Sequence, residues 1–350
     1  MRKSVSYIFV LIILLCSCRQ QPTEQKHMAF KNAIRLKTTP IQNQGKSQLC
    51  WIYAMLGTIE TEHLMQGDSV VLSADYITRM FLMEQARQRY LMKTDELINM
   101  RGMMPMTVHL LEQYGVEPMA SYHARDNINY GVIGRKIDNI VNVALTRKTG
   151  LKNLEQQLND FLDTSIDFMP QYVFMFGAEY TPLEFAHSVC QEDEYEAYTS
   201  FTHHPFGTPF VLEVPDNQMQ DSFMNVPLDT LMNRIDGSLR AGHPVCWEGD
   251  TSEPGFSFRN GVAQLDSVQH VLMKSAKNED IQSLRQLQFE QFKTTDDHCM
   301  VLIGIARNEK GEKYYIAKNS WGKNNAYGGF MYLSDDYVKL KTIAVMLRKE

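Results

Sequence analysis

Three short stretches of this chain carry residues able to do chemistry. Gln44 to Trp51 reads Q-G-K-S-Q-L-C-W, a glutamine six residues before a cysteine. From Trp51 the apolar residues Ile52, Met55, Leu56 and Ile59 recur at helical spacing until Gly67-Asp68. Cys50 is therefore expected in the first turn of an amphipathic helix. There, orphan backbone N–H groups and the positive end of the helix dipole favour the thiolate, the nucleophilic form. Far along the chain, His298 opens the apolar run Cys299 to Ile305, which reads as a buried strand with an imidazole at its start. Twenty-one residues on, Asn319-Ser320-Trp321-Gly322 follows a second strand, Tyr314-Tyr315-Ile316. Taken singly, Cys50 is a small buried apolar residue and Gln44 a surface loop residue. Taken together, these side chains suit acyl transfer. A thiolate attacks a carbonyl, an imidazolium protonates the leaving amine, and the Gln44 amide with the Cys50 backbone N–H holds the oxyanion.

The order Gln, Cys-Trp, His, Asn-Ser-Trp-Gly resembles that of the papain-like cysteine peptidases. The resemblance implies that Gln44 is the oxyanion-hole glutamine, Cys50 the nucleophile and His298 the general base and acid. It further implies that Asn319 orients the imidazole and that Trp321 covers the Asn–His hydrogen bond, with Trp51 in support. His298 lies 248 residues after Cys50 (298 minus 50), against roughly 130 to 150 in typical papains. About a hundred residues are thus inserted, and their content resembles the branch of bleomycin hydrolases and bacterial aminopeptidase C. Arg101-Gly102-Met103-Met104, Leu110 to Pro118 (with Tyr114-Gly115-Val116), Thr181 to Phe185, Asn225 to Leu228, Ser238 to Trp247 and Ser334 to Val338 all have counterparts there. The implied fold is α+β, a papain-like pair of lobes, one helical and one β-barrel-like, with inserted segments.

The elements that must position these residues are legible. Ser73 caps a helix from Ala74 to Met92, Thr107 to Tyr114 is a short helix closed by Gly115, and Val132 to Leu162 is helical in spacing but interrupted by Gly150. A helix closes at Gly242 before a strand at Val245 to Trp247. Ile281 to Phe292 reads as a helix just before the histidine. Cys299 to Ala306, Lys313 to Ala317 and Phe330 to Leu333 read as strands. Helices first and strands last is the order in which Cys50 would face His298 across a cleft.

With 44% apolar residues and a net charge of -6 spread along 350 residues, the chain can bury one large core and offers no basic stripe for nucleic acid. No cofactor is expected. Neither is a metal, because His203-His204 and His243 have no companion at ligand spacing. The 21 methionines read as adaptable core filler. Apart from Cys16 and Cys18, four cysteines remain; with Cys50 as nucleophile, a Cys190–Cys246 bridge is possible, and Cys299 is expected on the face of its strand opposite His298.

Arg2-Lys3, the apolar run Tyr7 to Leu15 and Leu15-Cys16-Ser17-Cys18 resemble a bacterial lipoprotein signal. Nine apolar residues are too few for a spanning helix of roughly 20. The expected organisation is a signal peptide over 1–17, a tether over 18–35 and the peptidase domain over 36–350. Cys18 would carry the lipid, holding the protein in the bacterial cell envelope; a plain secreted form is the alternative. The expected partner is a peptide or protein substrate. In the bleomycin hydrolase branch the C-terminal tail lies in the cleft of a hexamer and makes the enzymes aminopeptidases; for this chain the oligomeric state stays open, with a homo-oligomer as one option. Here Leu347-Arg348-Lys349-Glu350 is charged and short, so a gating carboxylate is expected instead from Asp193, Glu194 or Glu196. An endopeptidase, an amide acyl-transferase and a non-catalytic binding lipoprotein stand as alternatives.

Overall fold

The computed structural model of the chain describes residues 27–125 and 128–349. The expected signal peptide and Cys18 lie outside them. In chain order the first elements are β1 (Phe30–Arg35), α1 (Cys50–Gln66), α2 (Ala74–Met92), α3 (Met104–Tyr114), α4 (Tyr130–Arg147) and α5 (Leu151–Ser165). The middle holds β2 (Val173–Met175), β3 (Ala178–Tyr180), α6 (Pro182–Val189), β4 (Tyr195–Thr199), β5 (Pro209–Val211), β6 (Ser222–Asn225) and α7 (Leu228–Ala241). Then come β7 (Val245–Gly249), β8 (Phe256–Ser257), β9 (Val262–Ala263), α8 (Ser267–Ser275) and α9 (Asn278–Glu290). The last are β10 (His298–Asn308), β11 (Lys313–Lys318), β12 (Phe330–Ser334), α10 (Asp335–Lys341) and β13 (Thr342–Arg348).

The α+β expectation holds. An early helical part packs on a large mixed sheet ordered β5-β6-β4-β13-β7-β10-β11-β12-β9-β8. Strand β10 is its axis, pairing antiparallel with β7 over His298–Leu302 and with β11 further along. The local signals worked where the backbone chemistry is unambiguous. Ser73 accepts from the Tyr76 N–H and starts α2, while Gly67 and Gly242 end α1 and α7 in the left-handed conformation. Gly150 separates α4 from α5 with a φ of 85°. Helix α3 begins three residues before the expected Thr107, because Pro105 sits in its first turn, where a missing N–H costs nothing.

Three expectations need correction. Helix α1 is not amphipathic: Trp51 to Glu62 are buried except Tyr53. It runs between β10 and β7 on one side and α2 and α3 on the other, so every face meets protein. Its Thr58 and Thr61 hydroxyls donate to the Ala54 and Gly57 carbonyls, and Glu60 is matched internally. Glu60 accepts from the Thr39 hydroxyl and the Leu72 N–H and faces Lys318 Nζ at 3.5 Å. Residues 30–35, expected in the tether, instead form β1, paired with the end of β10; Gly304 allows this approach, since a Cβ there would lie 2.1 Å from the Ile34 carbonyl oxygen. Finally, Asp193, Glu194 and Glu196 do not reach the cleft. Arg348 pairs with Glu194 and Glu62, and Lys349 with Asp193. Glu62 lies twelve residues past Cys50 (62 minus 50), about 18 Å along α1. All four cysteines of the described residues are free, so Cys190 and Cys246 are not bridged. No helix of the described residues is long and apolar enough to cross a membrane.

Candidate active site

Antiparallel pairing builds one wall. Val301 stands opposite Lys318, and extending this register past the strand ends sets His298 across from the turn after β11. Asn319 Oδ1 there accepts from His298 Nε2 at 2.8 Å, which fixes the tautomer and leaves Nδ1 for the thiol of Cys50. Both residues are buried. Asn319 is itself oriented, because its Oδ1 also takes the Ser320 N–H at 2.7 Å. Trp321 lies over the imidazole with ring centroids 4.3 Å apart, and Phe256 and Phe258 hold the indole edge-on. The hydrogen bond is thereby kept from water.

Helix α1 supplies the other wall. Its first residue is Cys50, no side chain caps this end, and no acidic residue occupies the first turn, so the terminal N–H groups and dipole act on the sulfur undiluted. Gln44 is anchored to the opposite wall: its N–H donates to the Ser320 carbonyl at 2.8 Å and its Oε1 accepts from the Ser320 hydroxyl at 2.6 Å. Its Nε2 donates one hydrogen to the Ser47 carbonyl, leaving the second free. The Cys50 thiol is held well below its ordinary pKa. A hydrogen bond from the Cys299 thiol lowers it most, burial opposes this, and the hydrogen bond and charge of His298 lower it further. Trp51 points away into the helical part. Its Nε1 donates to the Met100 carbonyl at 3.0 Å and its ring meets Phe81 edge-on, so it anchors α1 rather than touching the cleft chemistry.

Gln44, Cys50, His298, Asn319 and Trp321 thus come together, and a cleft of about 400 Å³ is lined by Gln44, Cys50, His298 and Trp321. Several residues that the sequence reading passed over also face it. Cys299, buried on the strand beside His298, lies close enough to Cys50 to lower its pKa. Arg101, Asp216 and Asp296 line the cleft, and Asp216, Asp296 and the buried Glu248 offer carboxylate oxygens within 4.8 Å of one another. Asp296 precedes His298 by two residues, a proximity that could have flagged it; Asp216 sits in the β5–β6 loop with no sequence signal at all. His203-His204 does have a companion: both imidazoles bond to Glu213, at 3.1 and 2.7 Å. His203 Nδ1 accepts from Gln286 Nε2, so its other nitrogen carries the proton given to Glu213, and no lone pair remains for a metal.

The Peptidase C1-like family matches residues 172–350, just over half the chain. The chain belongs to the Peptidase C1-like family. Among similar proteins, aminopeptidase C of Lactococcus lactis subsp. lactis (strain IL1403) is 22% identical over 369 residues, covering 91% of this chain and 82% of that protein. Rat bleomycin hydrolase is 19% identical over 396 residues, covering 96% and 86%. The crystal structure of pepW from Lactobacillus rhamnosis HN001 superposes with a TM-score of 0.67 at 18% identity, over 92% of this chain and 82% of that one, which shows the shared fold. This C1-like enzyme is a papain-like cysteine peptidase of the bleomycin hydrolase and aminopeptidase C branch.

Proposed function

We propose that the protein is an aminopeptidase in which Cys50 and His298 act as a thiolate–imidazolium pair. The observation that carries this is His298, fixed by Asn319 on one nitrogen with the other turned to a thiol of lowered pKa. The thiolate adds to the carbonyl carbon, and the Cys50 backbone N–H with the remaining Gln44 N–H takes the oxyanion. Collapse breaks the C–N bond as the imidazolium gives its proton to the departing amine. Water, deprotonated by the same imidazole, then hydrolyses the thioester. A neutral Asn319 suffices as orienting group, because the resting pair already carries matched charges. Amino-terminal action is supported by the relatives of this branch and by the excess of carboxylates in the cleft.

A peptide library with free and acetylated N-termini tests the reading. Release of single residues from free termini is expected; internal cleavage at equal rates in both sets would select the endopeptidase alternative. For localisation we propose lipid attachment at Cys18, supported by the basic, apolar and cysteine-ending leader. Cys18→Ser should then move the protein out of the membrane fraction of a bacterial host or block its processing. A soluble wild type with a different mature N-terminus would favour simple secretion.

A further inference from the structure

Three acids meet beside the nucleophile, and one oxygen of one of them has no donor. Glu248 lies on β7 opposite Cys299, Asp296 lies just before β10, and Asp216 comes from the β5–β6 loop. The Asp216 N–H donates to Asp296 Oδ2 at 2.8 Å, which ties the loop to the catalytic wall. Glu248 is 1% exposed and its Oε2 has no hydrogen-bond partner among the described residues. A buried carboxylate oxygen without a donor is rare in a finished protein interior. The cation placed among them is Arg101, whose Nε pairs with Asp216. One guanidinium stands against three carboxyl groups. Burial and then the charges of Asp216 and Asp296 raise Glu248 well above the usual carboxylate range, and burial with Asp296 pushes Asp216 up to about 7.

We infer that Asp216, Asp296 and Glu248 form the subsite for the free α-ammonium group of the substrate, and so set the preference for unblocked N-termini. The inference rests on the peptidase reading above. An ammonium has three N–H donors in a tripod, one for each acid. In an aminopeptidase substrate the α-nitrogen lies about 2.5 Å from the carbonyl carbon under attack. Its receptor must therefore adjoin the nucleophile, and Asp216 and Asp296 line the same cleft as Cys50 and His298. Glu248 is buried behind them, with a carboxylate oxygen within 4.8 Å of theirs. Acetylation removes the charge and adds bulk where the tripod would close.

The test uses alanyl, acetyl-alanyl and acetyl-lysyl aminomethylcoumarin substrates on the wild type and on Asp216→Asn, Asp296→Asn and Glu248→Gln. The readout is the ratio of kcat/KM on the free over the acetylated alanyl substrate, which is independent of the fraction of enzyme that is active. Loss of one charged contact should lower this ratio about tenfold to a hundredfold in the variants. A wild type that prefers the free terminus, with variants that keep the full preference, would overturn the subsite and leave the aminopeptidase reading standing. A wild type with no preference would overturn both. Loss confined to the acetyl-lysyl substrate would make the cluster a side-chain pocket. Activity that is abolished by a chelator and restored by calcium, with loss of that response in the variants, would make it a metal site; either result overturns the inference.

Discussion

Cys50 and His298 face each other from walls built in different ways. The Cys50 wall is local: the sulfur sits on the first residue of α1, and much of its environment is the helix terminus itself. The His298 wall is non-local, because Asn319 and Trp321 are brought to it by the β10–β11 register and by burial under Phe256 and Phe258. A helix end offers its N–H groups whatever surrounds it, whereas an imidazole is held in one tautomer only if a distant partner is fixed to within tenths of an ångström. Gln44 couples the two walls. It precedes α1 in sequence but hangs on Ser320 of the other wall by two hydrogen bonds.

The sharpest way to break the comparison is to remove each wall's reacting group. Cys50→Ala and His298→Ala should each lower kcat on the order of a millionfold, the scale on which a hydrolase fails without its nucleophile or base. Circular dichroism should show both folded. If His298→Ala kept a substantial rate, the helix terminus alone would be activating the sulfur. Gln44→Ala comes next, with a loss of roughly a hundredfold in kcat from one missing oxyanion donor. An effect on KM alone would reduce Gln44 to a brace between the walls.

A smaller effect tests which wall controls the thiol. Cys299→Ala removes the S–H that donates to Cys50, so the Cys50 pKa should rise toward its ordinary value. The thiolate is the form present above that pKa, so the acidic limb of the iodoacetamide alkylation rate should move to higher pH. An unmoved limb would assign the lowered pKa to α1 and His298. Smallest of all, deleting Arg348 to Glu350 should leave the ratio of free to blocked substrate cleavage within about twofold, a change too small to count as losing one charged contact. Arg348 and Lys349 are engaged with Glu62, Glu194 and Asp193 at the far end of α1. A collapse of the ratio would mean that the tail reaches the cleft after all.

Residue types and spacing singled out Gln44, Cys50, His298, Asn319 and Trp321, which the fold brings together, because the flanking backbone signals are local: a helix start, a strand start, a turn after a strand. Ser73, Gly67 and Gly242 marked helix ends for the same reason, since a cap acts through its own neighbours. What the sequence left open depended on packing at long range. The amphipathic reading of α1 failed because burial on every side follows from what lies across from a helix, not from its own period. The Asp193–Glu196 stretch was singled out as acidic, but β13 passing alongside β4 turned it toward Arg348 and Lys349. Asp216, Glu248 and Asp296 are scattered over 80 residues (296 minus 216), and only the closing of a loop and two strands over one cleft makes them neighbours. Which carboxyl groups are stripped of water and left facing the substrate is a property of the folded volume, because desolvation is decided by everything that packs around a group.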